Sequence, residues 1–196
     1  ELSRKDELFV SDTELISIAG GKLTGYRKMA ERIIDLVAKK YKRRFEKEFD
    51  PIQTEEIVLS GGPFQNFKAV TIYNKLVYKN IKQYGFSKKD AEYLVYNYGK
   101  QTDIILDKFN ELSDENHQEK LLKAELWFTI NHEMVCTPTD FFMRRTGRLF
   151  FDAQSVHDYK NLILEEFSKA FSWSKEIVGK HQQELEEKIG LAVNFS

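Results

Sequence analysis

Residues 15–30 read Leu-Ile-Ser-Ile-Ala-Gly-Gly-Lys-Leu-Thr-Gly-Tyr-Arg-Lys-Met-Ala. The first five form a short apolar run with two isoleucines, which predicts a strand, and a helical pattern begins soon after the paired glycines. Glycines at such a turn readily adopt positive φ and let another group approach the backbone closely. The following helix offers unpaired N–H donors and a partly positive end. The stretch therefore predicts a strand, a glycine turn and a helix start that can face an anion or a polar ring edge.

The glycine turn also has a purely structural interpretation. Gly20-Gly21 matches neither the dinucleotide-binding fingerprint nor a phosphate loop, and many strand-to-helix turns carry two glycines for steric reasons. Lys22 is either an exposed lysine beside a turn or a point charge that can meet an anionic group. Spacing alone favours the structural interpretation.

Two extended runs, residues 7–10 and 14–19, flank the polar segment Ser11-Asp12-Thr13, and this pattern predicts a β-hairpin. From Thr24 to the low forties, apolar residues recur at helical spacing, which predicts a long amphipathic helix. The charged segment 42–48 follows and is interpreted as a solvated helix end. Contact of that segment with anionic lipid is the alternative, although acidic residues interrupt its basic charge.

Residues 51–63 form a predicted linker that ends in the strong breaker Ser60-Gly61-Gly62-Pro63. Residues 1–50 before it carry the hairpin, the glycine turn and the long helix. Residues 64–196 after it show helical patterns with almost no strand signal, which predicts an all-α domain of about six helices. The predicted fold class is therefore mainly α, with a β-hairpin and one long helix ahead of a helical domain.

Two helix starts in the helical domain carry capping signals. Ser87 and Asp90 have the spacing of a capping box. Thr137, Pro138 and Asp140 match an N-cap, a first helical position and an acidic first turn. The helix that starts at Thr137 is expected to carry three arginines beside a phenylalanine-rich face, namely Arg144, Arg145 and Arg148.

Composition narrows the classes of function. Hydrophobic residues make up 41% and charged residues 31% of the 196 residues, as in soluble globular proteins. With 30 basic and 31 acidic side chains, no basic excess points to a nucleic-acid partner. The single cysteine, Cys136, cannot form an internal disulfide and fits a reducing compartment. No signal peptide or long apolar span is visible, so we expect a cytoplasmic protein.

No metal site is predicted. The four histidines are scattered and no two of them are four residues apart. His132-Glu133 followed by Cys136 lacks the second histidine that a zinc-binding helix needs. No serine lies in a nucleophile-elbow pattern, so no catalytic residue is assigned from the sequence.

Two sequence blocks carry a family resemblance. Residues 18–31, from Ile18-Ala19-Gly20-Gly21 to Glu31, are similar to the last flavin-contacting segment of FAD-dependent glycerol-3-phosphate dehydrogenases and the related alpha-glycerophosphate oxidases. Residues 133–150, which include Arg144-Arg145-Thr146, resemble a segment of the C-terminal domain of that family. The blocks follow the family's order and approximate spacing. Gly25 departs from the pattern, since a second threonine or another polar residue is expected there.

The resemblance implies both a fold and a reaction. No residues match the family's N-terminal nucleotide-binding half, so the chain resembles the C-terminal piece of a longer enzyme, with residues 1–50 ending its FAD-binding domain. The implied reaction transfers a hydride from C2 of sn-glycerol 3-phosphate to FAD and gives dihydroxyacetone phosphate. Oxygen, which yields hydrogen peroxide, or a membrane quinone then reoxidises the flavin. The missing half would hold most of the FAD, and the fragment alone is expected to be inactive.

The resemblance also implies site residues and partners. Lys22 is a candidate ligand of the substrate phosphate as well as of the flavin. The three arginines Arg144, Arg145 and Arg148 are expected to dock against the enzyme's own FAD domain. The implied flavin-side contacts are Gly20, Gly21, Lys22, Leu23 and Thr24.

A different class of function stays open, namely a non-catalytic helical module that binds a protein partner. A yellow polypeptide about three times this length would favour the enzyme, because the family's FAD is held mainly outside this chain. A colourless chain of this size would favour the module. The electron acceptor, a homo-oligomer and peripheral contact with the inner face of a membrane also stay open.

Overall fold

The computed structural model describes residues 7–193, so the ends of the predicted domains 1–50 and 64–196 lie outside the described residues. Strands β1 (Glu7–Val10) and β2 (Ile16–Ala19) pair antiparallel, with Leu8 opposite Ile18. A single 3₁₀ turn at Leu23–Gly25 leads into helix α1 (Tyr26–Phe45). The predicted order of hairpin, glycine turn and long helix is confirmed.

The chain divides between Val58 and Leu59 into two compact units. We call residues 7–58 the N-terminal unit and residues 59–193 the helical unit. The division falls inside the predicted linker 51–63, whose bounds stay a prediction. Among residues 7–193, no helix is both long and apolar enough to cross a membrane.

The N-terminal unit has no buried side chain among its described residues. Apolar side chains of α1 such as Ile34 and Val37 are exposed to solvent. The contacts of α1 with the hairpin include ion pairs of Glu14 with Lys40 at 3.5 Å and with Arg44 at 3.8 Å. Exposed pairs of this kind contribute about 0–1 kcal/mol each, so they fix the hairpin only weakly.

The helical unit contains no strand among its described residues. Besides two 3₁₀ turns, its elements are α2 (Phe67–Ile81), α3 (Lys88–Tyr98), α4 (Thr102–Glu111), α5 (His117–Glu133), a π-helix (Asp140–Arg145), α6 (Arg148–Phe151), α7 (Ala153–Phe171) and α8 (Lys175–Val193). The mainly α fold class is confirmed. The predicted number of about six helices is close to the observed number. The π-helix and α6 together replace the single helix predicted to start at Thr137.

Two apolar cores hold the helical unit together. The first core lies among α2 to α5 and includes Val77, Ile81, Leu94, Ile105, Phe109 and Phe128. The second core lies among α5, the π-helix and α6 to α8 and includes Leu126, Phe141, Phe142, Ile163, Phe167 and Leu185. Helix α5 contributes to both cores and joins them. Trp127 packs at the edge of the first core, and Trp173 packs against the second.

Both predicted capping signals form hydrogen bonds. The Ser87 backbone N–H donates to Asp90 Oδ2 at 2.7 Å, and the Asp90 N–H donates to Ser87 Oγ at 3.4 Å. Thr137 and Asp140 make the same reciprocal pair, with both distances at 3.1 Å. The sequence therefore predicts both helix starts correctly, and the second start is also a capping box.

The prediction that the three arginines share one helix is wrong. The Thr146 N–H donates to the Phe141 carbonyl at 2.9 Å, which is the five-residue spacing of a π-helix. Gly147 then adopts a φ of +65°, a left-handed value that glycine tolerates and that ends the π-helix. Helix α6 begins one residue later, so Arg148 lies on a different element from Arg144 and Arg145.

Two glycines bring the start of the helical unit against the corner between α3 and α4. The Lys100 N–H donates to the Gly61 carbonyl at 2.9 Å. Gly99 has a φ of +55°, and a Cβ added there would lie 2.2 Å from the Gly61 oxygen. Only a residue without a Cβ allows this approach of the two backbones.

Candidate functional site

The glycine turn between β2 and α1 has the backbone geometry that the sequence predicts. Gly20 and Gly21 adopt φ angles of +88° and +89°, which disfavour residues with a Cβ. The backbone of Lys22 is extended, with φ −87° and ψ 148°, and Lys22 is exposed to solvent. The whole turn, residues 20–24, therefore presents backbone and one lysine to the surroundings of the unit.

The helix start after the turn lacks side-chain caps. Neither Lys22, which precedes the 3₁₀ turn, nor Gly25, which precedes α1, makes a side-chain capping bond, and the first turn of α1 has no acidic residue. N–H groups at this end therefore have no side-chain acceptor, and the partial positive charge of the helix is not compensated locally. This arrangement can receive a negatively charged or acceptor-rich group. A Cβ added at Gly25 would meet no atom within 4 Å, so the polar residue that the family pattern expects fits this backbone.

A second polar constellation, which the sequence analysis missed, lies inside the helical unit. Glu125 on α5 is 1% exposed. Its Oε1 accepts hydrogen bonds from the Tyr93 hydroxyl at 2.6 Å and the Tyr98 hydroxyl at 2.7 Å, and its Oε2 accepts from Arg148 Nη2 at 3.2 Å. We call these four residues the buried polar cluster. Glu125 lies between Leu122 and Leu126 on the apolar side of α5. A glutamate at that position in the sequence indicates a buried charge, and this signal could have revealed the cluster.

The charges of the cluster support each other. Burial raises the pKa of the Tyr93 hydroxyl, and the Glu125 carboxylate raises it further. The pKa of Tyr98 is raised for the same two reasons. Burial by itself lowers the pKa of Arg148, but the Glu125 charge outweighs it, so the pKa of Arg148 is raised. Both tyrosines therefore stay protonated donors and Arg148 stays charged at neutral pH.

Arg145 also bonds within the helical unit. Its Nη2 donates to Glu133 Oε1 at 2.7 Å and to the Asn97 carbonyl at 3.3 Å, and its Nε donates to the other Glu133 oxygen. The guanidinium carbon lies 4.4 Å from the centre of the Tyr98 ring. Arg144 instead projects to solvent and pairs with Asp140 at 2.5 Å. The assignment of the three arginines to an interdomain contact stays a prediction, and Arg144 has the most accessible guanidinium of the three.

The described residues contain no group of three or more histidine, cysteine, aspartate or glutamate side chains placed to hold a metal ion. Cys136 is a free, exposed thiol in the loop between α5 and the π-helix. The glycine turn is therefore the candidate ligand site, and the buried polar cluster is an internal feature of the helical unit.

Comparison with known proteins identifies the family. Residues 52–178 match the family described as the C-terminal domain of alpha-glycerophosphate oxidase. The chain belongs to this family. The resemblance seen in the two sequence blocks is thus confirmed, and the family match covers most of the helical unit.

Relatives and a solved structure extend the likeness to almost the whole chain. The aerobic glycerol-3-phosphate dehydrogenase of Bacillus subtilis is 42% identical over 98% of this chain and 35% of its own length. The protein of that name from Staphylococcus aureus is 34% identical over 96% of this chain and 34% of its own length. The chain therefore spans about a third of the length of the curated relatives it matches. A crystal structure of the glycerol-3-phosphate dehydrogenase from Bacillus halodurans complexed with FAD is similar with a TM-score of 0.82, 38% identity and coverage of 97% of this chain and 38% of that chain.

Proposed function

We propose that this chain is the C-terminal portion of a flavoenzyme that oxidises sn-glycerol 3-phosphate to dihydroxyacetone phosphate. Two findings support the proposal: the relatives named as aerobic glycerol-3-phosphate dehydrogenases, and the structural likeness to a dehydrogenase complexed with FAD. FAD, when bound, supplies the acceptor for the hydride that leaves C2 of the substrate. The residues outside this chain would hold most of the cofactor.

The glycine turn fits a flavin. Gly20 and Gly21 have positive φ and carry no Cβ, so a planar ring system can approach their backbone closely. The uncapped N–H groups after Lys22 are free to donate to acceptor atoms. We assign the flavin-side contacts to Gly20, Gly21, Lys22, Leu23 and Thr24.

Lys22 would have one of two roles in this site. Its extended backbone and exposed position place a cationic Nζ on a flexible stem beside the turn. The ammonium can either pair with the substrate phosphate or hold a flavin oxygen through a charge-assisted hydrogen bond. Removal of the charge would then impair binding in the first case and the chemical step in the second.

The test is steady-state kinetics of the full-length enzyme with Lys22→Met. Hydrogen bonds to charged groups contribute roughly 1.5–3 kcal/mol, so we expect the affected kinetic constant to change about ten- to a hundredfold. A higher KM assigns Lys22 to the phosphate; a lower kcat with a lower flavin reduction potential assigns it to the flavin. Lys39→Met is the matched control, because Lys39 is an exposed lysine of α1 without an ion pair among the described residues.

Two outcomes would contradict different parts of the proposal. Kinetic constants and a potential near those of the unmodified enzyme would show that Lys22 is only an exposed lysine, and the site would then rest on backbone groups. A full-length protein that contains no FAD, or that contains FAD but does not oxidise sn-glycerol 3-phosphate, would refute the proposed function itself.

We propose the C-terminal end of α1 as the place of a peripheral membrane contact. Phe45 and Phe49 are exposed there beside three basic residues, of which Lys42 pairs with Glu48 and Arg44 with Glu14, whereas Arg43 has no ion pair among the described residues. Exposed aromatics next to basic side chains suit the surface of an anionic bilayer. Sedimentation of the enzyme with vesicles, with and without phosphatidylglycerol, would test this; loss of binding in a Phe45→Ser variant is the expected result.

A further inference from the structure

Helix α2 has apolar side chains on two sides. Val77 and Ile81 point into the first core. Ile72 and Leu76 lie on the other side and are 51% and 55% exposed. Together with Phe64 and Ala69 they line an open groove of about 360 Å³. We call this surface the α2 groove.

The α2 groove is flanked by positive charge. Helix α2 contains Lys68, Lys75 and Lys79 but no aspartate or glutamate. Their spacing places all three on one side of the Ile72–Leu76 row. Lys100 lies on the groove lining, with its Nζ 5.6 Å from the centre of the Phe64 ring.

The lysines around the groove are not used in ion pairs of the helical unit. Lys108, Lys123, Lys160 and Lys169 each pair with a carboxylate. Lys68, Lys75, Lys79 and Lys100 have no acidic partner among the described residues. The four lysines around the groove are therefore not neutralised by ion pairs, in a chain whose net charge is only −1.

The groove is held in shape by its own unit. The Tyr73 hydroxyl, also on the groove lining, donates to Asp103 Oδ1 at 2.7 Å and so ties α2 to α4. Phe64 packs against the Tyr73 ring at 5.6 Å. A groove formed before binding costs less to occupy than one that must be ordered by its partner.

We propose that the α2 groove receives an acidic amphipathic segment of another protein. An amphipathic helix would place large apolar side chains over Ile72 and Leu76, as in other helix-in-groove complexes. Aspartate or glutamate on its flanks would meet Lys75 and Lys79 on one side and Lys100 on the other, which sets register and orientation. A second copy of this chain is a poor occupant, because a two-fold contact would bring the lysine rows together.

The experiment measures the binding of a labelled synthetic helix to the full chain by fluorescence anisotropy. The probe carries leucine at positions i, i+3 and i+7 with glutamate on both flanks, and its control is a scrambled peptide of the same composition. We expect saturable binding of the helix that weakens as salt screens the charges. The double variant Lys75→Glu/Lys79→Glu should lower the affinity about tenfold or more, as loss of paired charges does at other interfaces.

Two further variants separate the apolar and charged contributions. Leu76→Asp should also abolish binding, and because Leu76 is half exposed, the circular dichroism of the variant should be unchanged. Lys175→Glu/Lys180→Glu on α8 is the matched control, since both lysines are exposed and lack an acidic partner among the described residues. This control should bind the helix like the unmodified chain.

Several outcomes would overturn the proposal. Equal binding of the scrambled peptide, no binding at all, or an unchanged affinity after Lys75→Glu/Lys79→Glu would each show that the groove does not select an acidic helix. Vesicles of phosphatidylglycerol that bind through Leu76 and the lysines, while the peptide does not bind, would assign the surface to lipid. Hydrogen exchange that is already slow along the exposed face of α2 in the full-length enzyme, but fast in this chain, would assign it to the enzyme's own FAD domain. Kinetics of the full-length double variant should be unchanged, so this proposal and the proposed function fail independently.

Discussion

Helices α1 and α7 have nearly the same length and the same kind of amphipathic pattern, yet only α7 is buried. Helix α1 has 20 residues and no buried side chain, whereas α7 has 19 residues and buries five, including Ile163 and Phe167. An apolar stripe at helical spacing therefore predicts a helix but not the presence of its packing partner. The helical unit supplies its own partners for α7. The described residues supply none that buries the stripe of α1.

The buried polar cluster offers the strongest test of that difference. Glu125→Ala would leave the Arg148 guanidinium without its main partner inside the helical unit, and breaking a buried pair in this way costs about 3–5 kcal/mol. Urea unfolding followed by circular dichroism measures the change. Glu111→Ala is the control, because Glu111 pairs with Lys108 at the surface and its loss should change the free energy of unfolding little. Equal effects of the two substitutions would contradict the role of the cluster.

Matched isoleucines test the packing of the two helices directly. Ile163 is 0% exposed on α7 and Ile34 is 54% exposed on α1. Ile163→Ala should lower the free energy of unfolding by about 2–5 kcal/mol, because it leaves a cavity in the second core. In this chain Ile34→Ala should have a much smaller effect. If other parts of the full-length enzyme cover α1, Ile34→Ala should become costly there; a small effect in both forms would show that α1 stays uncovered.

Two glycines test the backbone of the helical unit. Gly99→Ala forces a Cβ against the Gly61 carbonyl at a positive φ, and backbone strain of this kind costs about 1–3 kcal/mol before the clash is added. Gly179→Ala in α8 meets no atom within 4 Å and should instead stabilise its helix by about 0.5–1 kcal/mol. Thermal unfolding should show a lower melting temperature for Gly99→Ala and a higher one for Gly179→Ala. A stable Gly99→Ala chain would contradict the close contact at Gly61.

The smallest expected effect is on the loss of stability at low pH through Asp140. Burial would raise the pKa of Asp140, but hydrogen bonds from Thr137 and Arg144 outweigh it and lower the pKa. A carboxyl group with a lowered folded-state pKa stabilises the fold above its unfolded pKa, and this contribution is lost as the pH falls through the folded value. Asp140→Asn should therefore flatten the loss of stability below about pH 4, by less than about 1 kcal/mol. Urea unfolding at pH 7 and pH 3 checks it; an unchanged pH dependence would contradict the assignment.

Local signals in the sequence predict the helix starts well. Ser87 with Asp90 and Thr137 with Asp140 form the expected bonds, because both partners of each pair are close in sequence. The glycine turn at Gly20 and Gly21 is predicted for the same reason. The family resemblance, which rests on two short blocks, gives the membership that the comparison confirms.

Contacts between distant residues account for what the sequence does not predict. Phe141 and Phe142 of the π-helix are buried in the second core, and Arg148 lies on the next element, α6. In the sequence, Glu125 is one of several charged residues on an amphipathic helix. Its burial becomes evident only in the structure, where it bonds to Tyr98, which is 27 residues away, and to Arg148. The roles of Lys22 and of the other turn residues depend on atoms outside the chain, so their test has to be made in the longer enzyme.

The positions of the tryptophans allow the two units to be observed separately. Trp127 and Trp173 are the two tryptophans of the chain, and both lie in the helical unit. Trp173 stacks on the Phe167 ring at 5.5 Å and on the His181 ring at 4.4 Å, so its emission depends on the packing between α7 and α8. Tryptophan emission therefore reports the unfolding of the helical unit, whereas the ellipticity at 222 nm also includes α1. A single sample can therefore report the unfolding of the helical unit and that of the whole chain without any label.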